Sequence, residues 1–261
     1  MAGAESTDEP SPPRLRIDEV KYPAGFGIKD VLAWGSTGLF VLDRASQTVI
    51  KTPLWEEDDP LAFREREVYE RLTQRGGHRR VLRYHGTVEN GIRLEYAPNG
   101  DIRAFCRRRE RTAISCDQRL RWATQIAETV GFVHSVGVIH SDLTCQNIFL
   151  DQELDIKLGD FAGSSVDGSE LLVCVTPSHE CPGSPLSTQG DIFAFGSVIY
   201  ELMTGAVLYQ GLSDTEISDR YKNGQFADTT SLGELGAIIR KCWERRYDGF
   251  DSAVKDLRGT I

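Results

Sequence analysis

The amino-acid sequence predicts an α+β fold in which a strand-rich first third precedes a helix-rich remainder. Between residues 31 and 95, short runs of apolar and β-branched residues are typical of strands, with one helical segment among them. Beyond residue 98, the apolar residues recur mostly with the period of an α-helix. The chain has 261 residues, which suffice for one large domain or for two packed lobes with cores of their own.

The elements are predicted in a definite order along the chain. Residues 1–20 are rich in Ala, Ser, Pro, Asp and Glu, and they predict a disordered tail because they cannot bury enough apolar surface to fold. Strands are expected at 31–34, 39–43, 48–52, 81–88, 91–95, 147–150 and 155–158. Helices are expected at 60–74, 116–136, 190–204, 214–223 and 231–246. Residues 96–100 are the expected hinge between the strand-rich and the helix-rich parts.

Composition and charge exclude several classes of function. The net charge of −9 argues against a nucleic-acid binder, because a phosphate backbone requires a basic face. The basic run at residues 107–109, with Arg111, is interpreted as a solvated helix face. The apolar stretch at 192–209 contains Glu201 and has no second apolar segment beside it, so it predicts a buried core helix and no membrane span.

The cysteines and the N-terminus bear on the compartment. None of the six cysteines forms a C-x-x-C pair or a zinc-ligand pattern, so free thiols in a reducing environment are expected. The first residues lack the charged and apolar regions of a signal peptide. We therefore expect an intracellular protein in the cytoplasm, with the nucleus left open.

The strongest motif runs from His140 through Asp142 to Asn147, and Asp160-Phe161-Ala162-Gly163 follows thirteen residues after Asn147. These two segments resemble the catalytic loop H-R-D-x-x-x-x-N and the metal-binding D-F-G turn of the protein kinase family. A loop with this spacing can direct the Asp142 carboxylate at an attacking hydroxyl and the Asn147 amide oxygen at a metal ion. The strand pair between the motifs would return Asp160 to the same metal. Asp142 is thus the expected catalytic residue, and Asn147 and Asp160 are the expected magnesium ligands.

The resemblance covers roughly residues 25–261 and implies a two-lobed protein-kinase-like fold. The N-lobe, residues 21–97, would hold a small antiparallel β-sheet and one helix, and the C-lobe, residues 98–261, would be larger and mainly helical. ATP and Mg²⁺ would bind between the lobes, and a protein would be the phosphate acceptor. Details such as Tyr69-Glu70-Arg71-Leu72 resemble a small fungal protein-kinase-like group.

Lys51 ends a strand whose sequence, Thr48 to Lys51, resembles the V-A-I-K strand of kinases. On the following helix, Glu65 shares one face with apolar residues three, four and seven positions further on. A carboxylate on an inward apolar face requires a cation, and Lys51 is the natural partner, with Glu67 as the second choice. This ion pair would hold Lys51 against the α- and β-phosphates, so Lys51 and Glu65 join the expected catalytic set.

Two further segments are expected to hold the nucleotide. Residues 33–40 resemble the glycine-rich loop, with Gly35 and Gly38 retained and Ala33 in place of the first glycine. Their order of strand, turn and strand before Lys51 fits a lid over phosphates and not a Rossmann turn, which would open a helix. Phe40 would pack on the adenine.

Residues 94–101 resemble the kinase hinge. Backbone groups of Glu95 and Ala97 would bind the adenine, with Leu94 as the gatekeeper. Asp101 would meet the ribose.

Two segments of the second half strengthen the resemblance. Ser178-His179-Glu180 stands in the place of the A-P-E motif. The run from Asp191 to Gly196 resembles D-V-W-S-F-G, a buried helix whose aspartate braces the catalytic loop.

Four further positions depart from the family pattern. Ser141 replaces the catalytic-loop arginine that binds an activation-loop phosphate, so we expect that loop phosphorylation is not the on-switch. Thr144 replaces the lysine of Ser/Thr kinases, and Ala162 replaces the D-F-G glycine. Phe250 replaces the arginine that pairs with the A-P-E glutamate, a role open to Arg245 or Arg246.

Three functions are compatible with these features. The first is an active protein kinase, with serine and threonine favoured over tyrosine as acceptors. The second is a pseudokinase that serves as an ATP-binding or scaffold module, which is favoured by Ser141, Thr144, Ala162 and the altered segment 178–180. The third is a small-molecule kinase of the aminoglycoside or choline type, against which the Asp191 helix and Cys242-Trp243 argue. The oligomeric state is left open.

Overall fold

The computed structural model describes residues 21–35, 37–54, 60–109 and 113–260. The predicted disordered tail, together with Ser36 and Arg111, lies outside the described residues. The predicted α+β class is confirmed, since a small antiparallel β-sheet with one helix precedes a larger, mainly helical part. The boundary between the lobes at residue 97 stays a prediction.

The first part consists of a five-stranded antiparallel sheet and one helix. Its elements are β1 (Val31–Gly35), β2 (Gly38–Asp43), β3 (Thr48–Thr52), α1 (Pro60–Gln74), β4 (Tyr84–Val88) and β5 (Gly91–Glu95). The strand order is β1-β2-β3-β5-β4, so β3 lies in the centre and all its residues are buried. Lys51 pairs with Phe40 of β2 and with Ile92 of β5. A lysine that would be solvated on an edge strand is thereby held in the interior of the sheet.

The second part contains six helices and two short strand pairs in the described chain. Its elements are α2 (Ile102–Arg108), α3 (Cys116–Ser135), β6 (Val138–Ile139), β7 (Ile148–Leu150), β8 (Ile156–Leu158), β9 (Ser165–Val166), α4 (Thr188–Thr204), α5 (Asp214–Lys222), α6 (Gly233–Trp243) and α7 (Phe250–Gly259). Strand β7 pairs with β8, and β6 pairs with β9. The β7–β8 pair lies between the two predicted metal ligands, as the sequence indicated.

Helix α4 forms the centre of the helical part. Ser187 caps its N-terminus, and Gly205 ends it in a left-handed conformation with φ of 70°. A Cβ on Gly196 would approach Cys242 Cβ to 2.8 Å, so glycine permits the close packing of α4 on α6. The predicted buried core helix is confirmed. No helix within the described ranges combines the length and apolar character needed to cross a bilayer.

Some elements differ from the prediction. Helices α2 and α7 were not expected, because each is short. Phe250, Ala253 and Leu257 of α7 nevertheless recur with a helical spacing and are buried. The strand predicted at 81–88 begins only at Tyr84. Val81 instead forms an isolated parallel bridge with Leu158 of β8, which ties the sheet region to the helical part.

Candidate active site

The side chain of Lys51 lies between two carboxylates. Its Nζ is 2.6 Å from Glu65 Oε2 and 2.9 Å from Asp160 Oδ1, and only 4% of the side chain is exposed. The predicted partner on α1 is therefore the residue in contact. Glu67, the second choice, instead lies 3.2 Å from Arg64 of the same helix.

Burial and charge act against each other in this cluster. Burial opposes the charge of Lys51, but Asp160 and Glu65 outweigh it and raise the pKa of Lys51 above its ordinary value. Burial raises the pKa of Glu65 to about 7, although Lys51 acts in the opposite direction. Burial also opposes the charge of Asp160, but Lys51 lowers its pKa below the ordinary value. The cluster thus keeps Lys51 positively charged and Asp160 negatively charged at neutral pH.

Asp191, at the start of α4, braces the catalytic loop as the sequence predicted. Its carboxylate accepts hydrogen bonds from the backbone N–H groups of His140 and Ser141, both at 2.8 Å. His134 Nε2 lies 2.7 Å from the same carboxylate. Ser141 has a φ of 67°, a conformation that L-residues rarely adopt. Asp191 therefore holds the loop in a backbone shape that it would not adopt unaided.

His134 was not identified from the sequence. It is a single histidine near the end of α3, and nothing in the local pattern distinguishes it from a surface residue. Only the packing of α3 against α4 brings it to Asp191.

The structure brings Asp142 and Asn147 together. Asn147 Nδ2 donates to the backbone oxygen of Asp142 at 2.7 Å and to its carboxylate Oδ2 at 2.8 Å. The backbone oxygen of Asn147 accepts from Gly159 N at 3.0 Å, which links it to the residue before Asp160. Burial raises the pKa of Asp142, and the negative charges of Asp160 and Asp191 add to this effect. The two predicted metal ligands and the predicted base thus belong to one connected group.

Asp160 follows β8 and has a φ of 56°. Thr37, in the glycine-rich loop, lies with its Oγ1 3.4 Å from Asp160 Oδ2, so the loop reaches over the acidic cluster. Ala162 is not among the described residues with positive φ, and its methyl group therefore carries no backbone penalty here.

Four aromatic rings form a continuous column beside the site. Tyr84 of β4 stacks on Tyr69 of α1 with centroids 5.9 Å apart. Tyr69 meets Phe161 edge to face at 5.2 Å, and Phe161 lies 5.1 Å from the His140 ring. Because the column joins the sheet, α1, the turn after Asp160 and the catalytic loop, a shift of any one of them disturbs the others.

Gly38 in the glycine-rich loop has no room for a side chain. A Cβ there would lie 2.5 Å from the backbone oxygen of Thr52, and its φ is 158°. A Cβ on Gly35 would lie 3.2 Å from the Phe40 ring. Phe40 is partly buried, and Lys51 Nζ lies 5.2 Å from its ring centroid. The two glycines therefore permit the loop to close down over Phe40 and Lys51, while their contact with a nucleotide stays a prediction.

The three residues predicted to hold the adenine and the ribose make different contacts within the protein. The Glu95 side chain accepts from Arg83 N at 3.0 Å and pairs with Lys157 at 2.8 Å. The Ala97 backbone N–H donates to no residue within the described ranges. Asp101 caps α2 by accepting from Ala104 N at 2.8 Å through Oδ1. Contacts of these three residues with adenine and ribose stay predictions.

The segment in the place of the A-P-E motif is anchored by neutral groups. The backbone oxygen of Ser178 accepts from Ser197 Oγ at 2.7 Å and from Tyr221 Oη at 2.8 Å. Burial lowers the pKa of His179 to about 3, so this ring is neutral.

The suggested replacement for the missing arginine is wrong. Arg246 pairs with Glu244 at 2.9 Å, and within the described chain neither Arg245 nor Arg246 forms an ion pair with Glu180. Phe250 occupies its position by packing 5.4 Å from the Phe195 ring. An apolar contact therefore takes the place of an ion pair at this end of the helical part.

The acidic cluster limits how a metal ion could bind. The described residues contain no group of three or more His, Cys, Asp or Glu side chains that could hold a metal. Asp160 and Asn147 offer oxygen atoms, which Mg²⁺ prefers, and the Asn147 side-chain oxygen accepts no hydrogen bond in the described chain. This donor set fits a cation that also binds phosphate oxygens, because Mg²⁺ requires six ligands and typically takes few from protein.

Comparison with known proteins supports the reading of these motifs. Residues 44–249 match the family described as protein tyrosine and serine/threonine kinase. The mouse megakaryocyte-associated tyrosine-protein kinase is 27% identical over 178 residues, covering 64% of this chain and 35% of that protein. The serine/threonine/tyrosine-protein kinase HT1 of Arabidopsis thaliana is 25% identical over 171 residues, covering 58% of this chain and 42% of that protein. The serine/threonine-protein kinase plk-2 of Caenorhabditis elegans is 29% identical over 174 residues, covering 62% of this chain and 27% of that protein. The matched regions thus span less than half the length of these relatives.

Proposed function

This chain belongs to the protein tyrosine and serine/threonine kinase family, and on that premise we propose that it transfers the γ-phosphate of ATP to protein hydroxyl groups. The observation that carries the proposal is the position of Lys51, held between Glu65 and Asp160 within 2.9 Å of each. A buried lysine in this arrangement presents a fixed positive charge at a cluster that contains Asp142 and Asn147. Such a site suits phosphoryl transfer, which depends on positioned charge more than on covalent chemistry.

The nucleotide would be held from both sides of the cleft. Lys51 binds oxygens of the α- and β-phosphates, and the loop with Gly35 and Gly38 covers them. Phe40 packs on the adenine, while backbone groups of Glu95 and Ala97 bind its edge. The unused N–H of Ala97 supports this assignment. Asp101 caps the helix through Oδ1, and within the described chain its Oδ2 accepts no hydrogen bond, so we assign this oxygen to the ribose.

Asn147 and Asp160 would hold a divalent cation, with Mg²⁺ as our choice. When bound, the cation neutralises negative charge on the β- and γ-phosphate oxygens. The Lys51 contact keeps Asp160 ionised, so this ligand is ready at neutral pH. Asn147 is fixed by its two hydrogen bonds to Asp142, which leaves its side-chain oxygen free to act as the second ligand.

Asp142 is the proposed catalytic base. Its carboxylate orients the acceptor hydroxyl and takes the hydroxyl proton as the new bond forms between the acceptor oxygen and the γ-phosphorus. The bond between the γ-phosphorus and the oxygen bridging to the β-phosphate breaks, and ADP leaves with that electron pair. Burial of Asp142 raises its pKa, which makes it a better proton acceptor than an exposed aspartate.

We also propose that the protein acts inside the cell, in the cytoplasm.

We further propose that the acceptor is serine or threonine in preference to tyrosine. The alanine-arginine pattern that tyrosine kinases carry in the catalytic loop is missing from residues 142–147. The relatives include a protein named as a tyrosine kinase and one named as a serine/threonine kinase, so phosphoamino-acid analysis of the product decides this point.

Two substitutions separate binding from turnover. Asp160→Ala is expected to abolish metal-dependent nucleotide binding, measured by titration calorimetry with ATP and magnesium. Asp142→Ala is expected to keep that binding and to lose turnover. If Asp142→Ala turns over at the wild-type rate, the assignment of the base is wrong. If Asp160→Ala binds ATP and magnesium as tightly as the wild type, the metal assignment is wrong.

A further inference from the structure

A short turn follows the Asp160 segment and is tied together by its own hydrogen bonds. Residues 164–169, here the 164–169 turn, reverse direction at Asp167 and Gly168, which have φ of 50° and 81°. The Ser169 N–H donates to Val166 O at 3.0 Å, and the Val166 N–H donates to Ser169 Oγ at 2.9 Å. Ser165 Oγ donates to Ser169 O at 2.6 Å. The turn is thus a compact unit that has its shape without phosphate.

The 164–169 turn is also attached to the catalytic loop. Strand β9 pairs with β6, which leads directly into His140, and Ser165 lies opposite Ile139. Ser164 is fully buried and donates through Oγ to the backbone oxygen of His140 at 3.0 Å. The Asp167 N–H donates to Gly137 O at 2.9 Å. The position of the turn is therefore set by the same backbone that carries Asp142.

Helix α1 contacts the 164–169 turn through two arginine side chains. Arg64 Nη1 donates to Ser164 O at 2.7 Å and to Ser169 Oγ at 2.6 Å. Seven residues later, Arg71 Nη2 lies 2.7 Å from Asp167 Oδ2. Residues seven apart lie on one side of a helix, so both arginines reach the turn from the same side of α1.

We propose that Arg64 is a positioning residue for the kinase reaction. Its guanidinium locks α1 to the 164–169 turn and thereby holds the next residue, Glu65, against Lys51 while Ser169 carries an unmodified hydroxyl. The proposal rests on the function proposed above. It supplies a physical reason for the absence of a catalytic-loop arginine at Ser141, because the bridge between α1 and the turn is made by a hydroxyl and a carbonyl instead of a phosphate.

Arg64 is a stronger candidate for this role than Arg71. The Arg64 side chain is 14% exposed, and one of its acceptors belongs to the fully buried Ser164. Hydrogen bonds from a charged group at a buried site are stronger than those in water. Asp167, the partner of Arg71, is 65% exposed, so that ion pair is screened by solvent.

The first test compares kcat and KM in three variants. Arg64→Ala removes both hydrogen bonds to the turn and is expected to lower kcat at least about tenfold, because they favour the working position of α1, while KM for the protein acceptor is unchanged. Ser169→Ala removes one of the two acceptors and is expected to lower kcat less. The loss in the double variant should be smaller than the sum of the two single losses, because both changes remove the hydrogen bond between Arg64 and Ser169 Oγ, while Ser169→Ala also removes the Val166 N–H contact. Additive losses in the double variant would overturn the proposal.

Arg66→Ala is the matched control on the same helix. Its guanidinium lies 5.2 Å from the Phe63 ring and makes no hydrogen bond to the turn. We expect kcat within about twofold of the wild type, as for most surface substitutions. An equal loss in Arg66→Ala and Arg64→Ala would show that the charge of α1, and not the contact with the turn, controls the rate.

A second readout needs no catalytic activity. Amide hydrogen exchange of residues 60–74 reports how firmly α1 is held. Faster exchange in Arg64→Ala than in Arg66→Ala supports the lock even if the wild-type protein transfers no phosphate, an outcome that would refute the proposed function alone. Equal exchange in the wild type and in Arg64→Ala would overturn the proposal whatever the activity.

Discussion

Replacement of Asp191 by asparagine tests whether this carboxylate holds the catalytic loop. Asp191 is 1% exposed and accepts two backbone hydrogen bonds at 2.8 Å, from His140 and Ser141, and a contact from His134 at 2.7 Å. Asparagine keeps the shape but offers one acceptor oxygen in place of two. At least one backbone N–H would therefore face the NH₂ group of the new side chain.

The magnitude follows from the bonds that are lost. A hydrogen bond to a charged group contributes about 1.5–3 kcal/mol, and a buried donor left without a partner costs about 1–3 kcal/mol. With one bond lost and the others weakened, we expect Asp191→Asn to lower the free energy of unfolding by about 3 kcal/mol. Because the left-handed φ of Ser141 would no longer be enforced, kcat should fall by about a hundredfold, which corresponds to a misplacement of the base of about 1 Å.

Urea unfolding and phosphate transfer, measured at one temperature, check both numbers. Asp219→Asn is the matched control, because this aspartate is 64% exposed and lies 4.0 Å from Lys222. It should change the free energy of unfolding by less than about 0.5 kcal/mol. Wild-type stability and wild-type kcat in Asp191→Asn would refute the role assigned to the Asp191 carboxylate.

Three further substitutions test other parts of the site. Since burial raises the pKa of Glu65 to about 7, protonation should release Lys51 and lower kcat as the pH falls through that value, and Glu65→Gln should lose this limb of the pH–rate profile. A profile unchanged by the substitution would contradict the assignment. Phe161→Ala removes a fully buried ring and should cost about 3–5 kcal/mol of unfolding free energy, measured by thermal or urea unfolding. Gly38→Ala would place a methyl group 2.5 Å from a backbone oxygen and should raise KM for ATP more than KM for the acceptor. Equal changes in both KM values would show that the loop does not act on the nucleotide alone.

The candidate site residues that could be predicted from the sequence are those that lie within recognisable local motifs. Asp142, Asn147 and Asp160 were selected because they lie at short, characteristic spacings, and Lys51 was selected because its strand resembles the V-A-I-K strand of kinases. Glu65 could be identified because the apolar period of α1 placed it on the inner face. In each case the information was local, and the structure brings the side chains into one cluster.

The contacts that cross the chain could not be predicted. Arg64 meets its acceptors 100 and 105 residues away, and His134 meets Asp191 57 residues away. The helical pattern of a sequence does not show whether an arginine is exposed to solvent or hydrogen-bonds a distant turn. The proposed pairing of Arg246 with Glu180 failed for a related reason, since Arg246 finds a nearer carboxylate in Glu244, two residues away.

The short helix α2 could not be predicted from the sequence for a physical reason as well. Helix α2 has seven residues, and five of them are arginine, cysteine or alanine, so it shows no clear apolar stripe. Its start is set by the Asp101 cap, whose side chain was interpreted from the family resemblance as a ribose ligand. A capping aspartate and a ligand aspartate are the same letter, so the cap on the Ala104 N–H could not be predicted from the sequence.

The most direct test of the proposed function is transfer of the labelled γ-phosphate of ATP to a generic protein substrate, with and without magnesium, for the wild type and Asp142→Ala. We predict magnesium-dependent transfer by the wild type and none above background by the variant, with both proteins stabilised by ATP and magnesium in thermal unfolding. Stabilisation by ATP without transfer by the wild type would contradict catalysis and indicate a nucleotide-binding pseudokinase. Equal transfer by both proteins would contradict the role of Asp142.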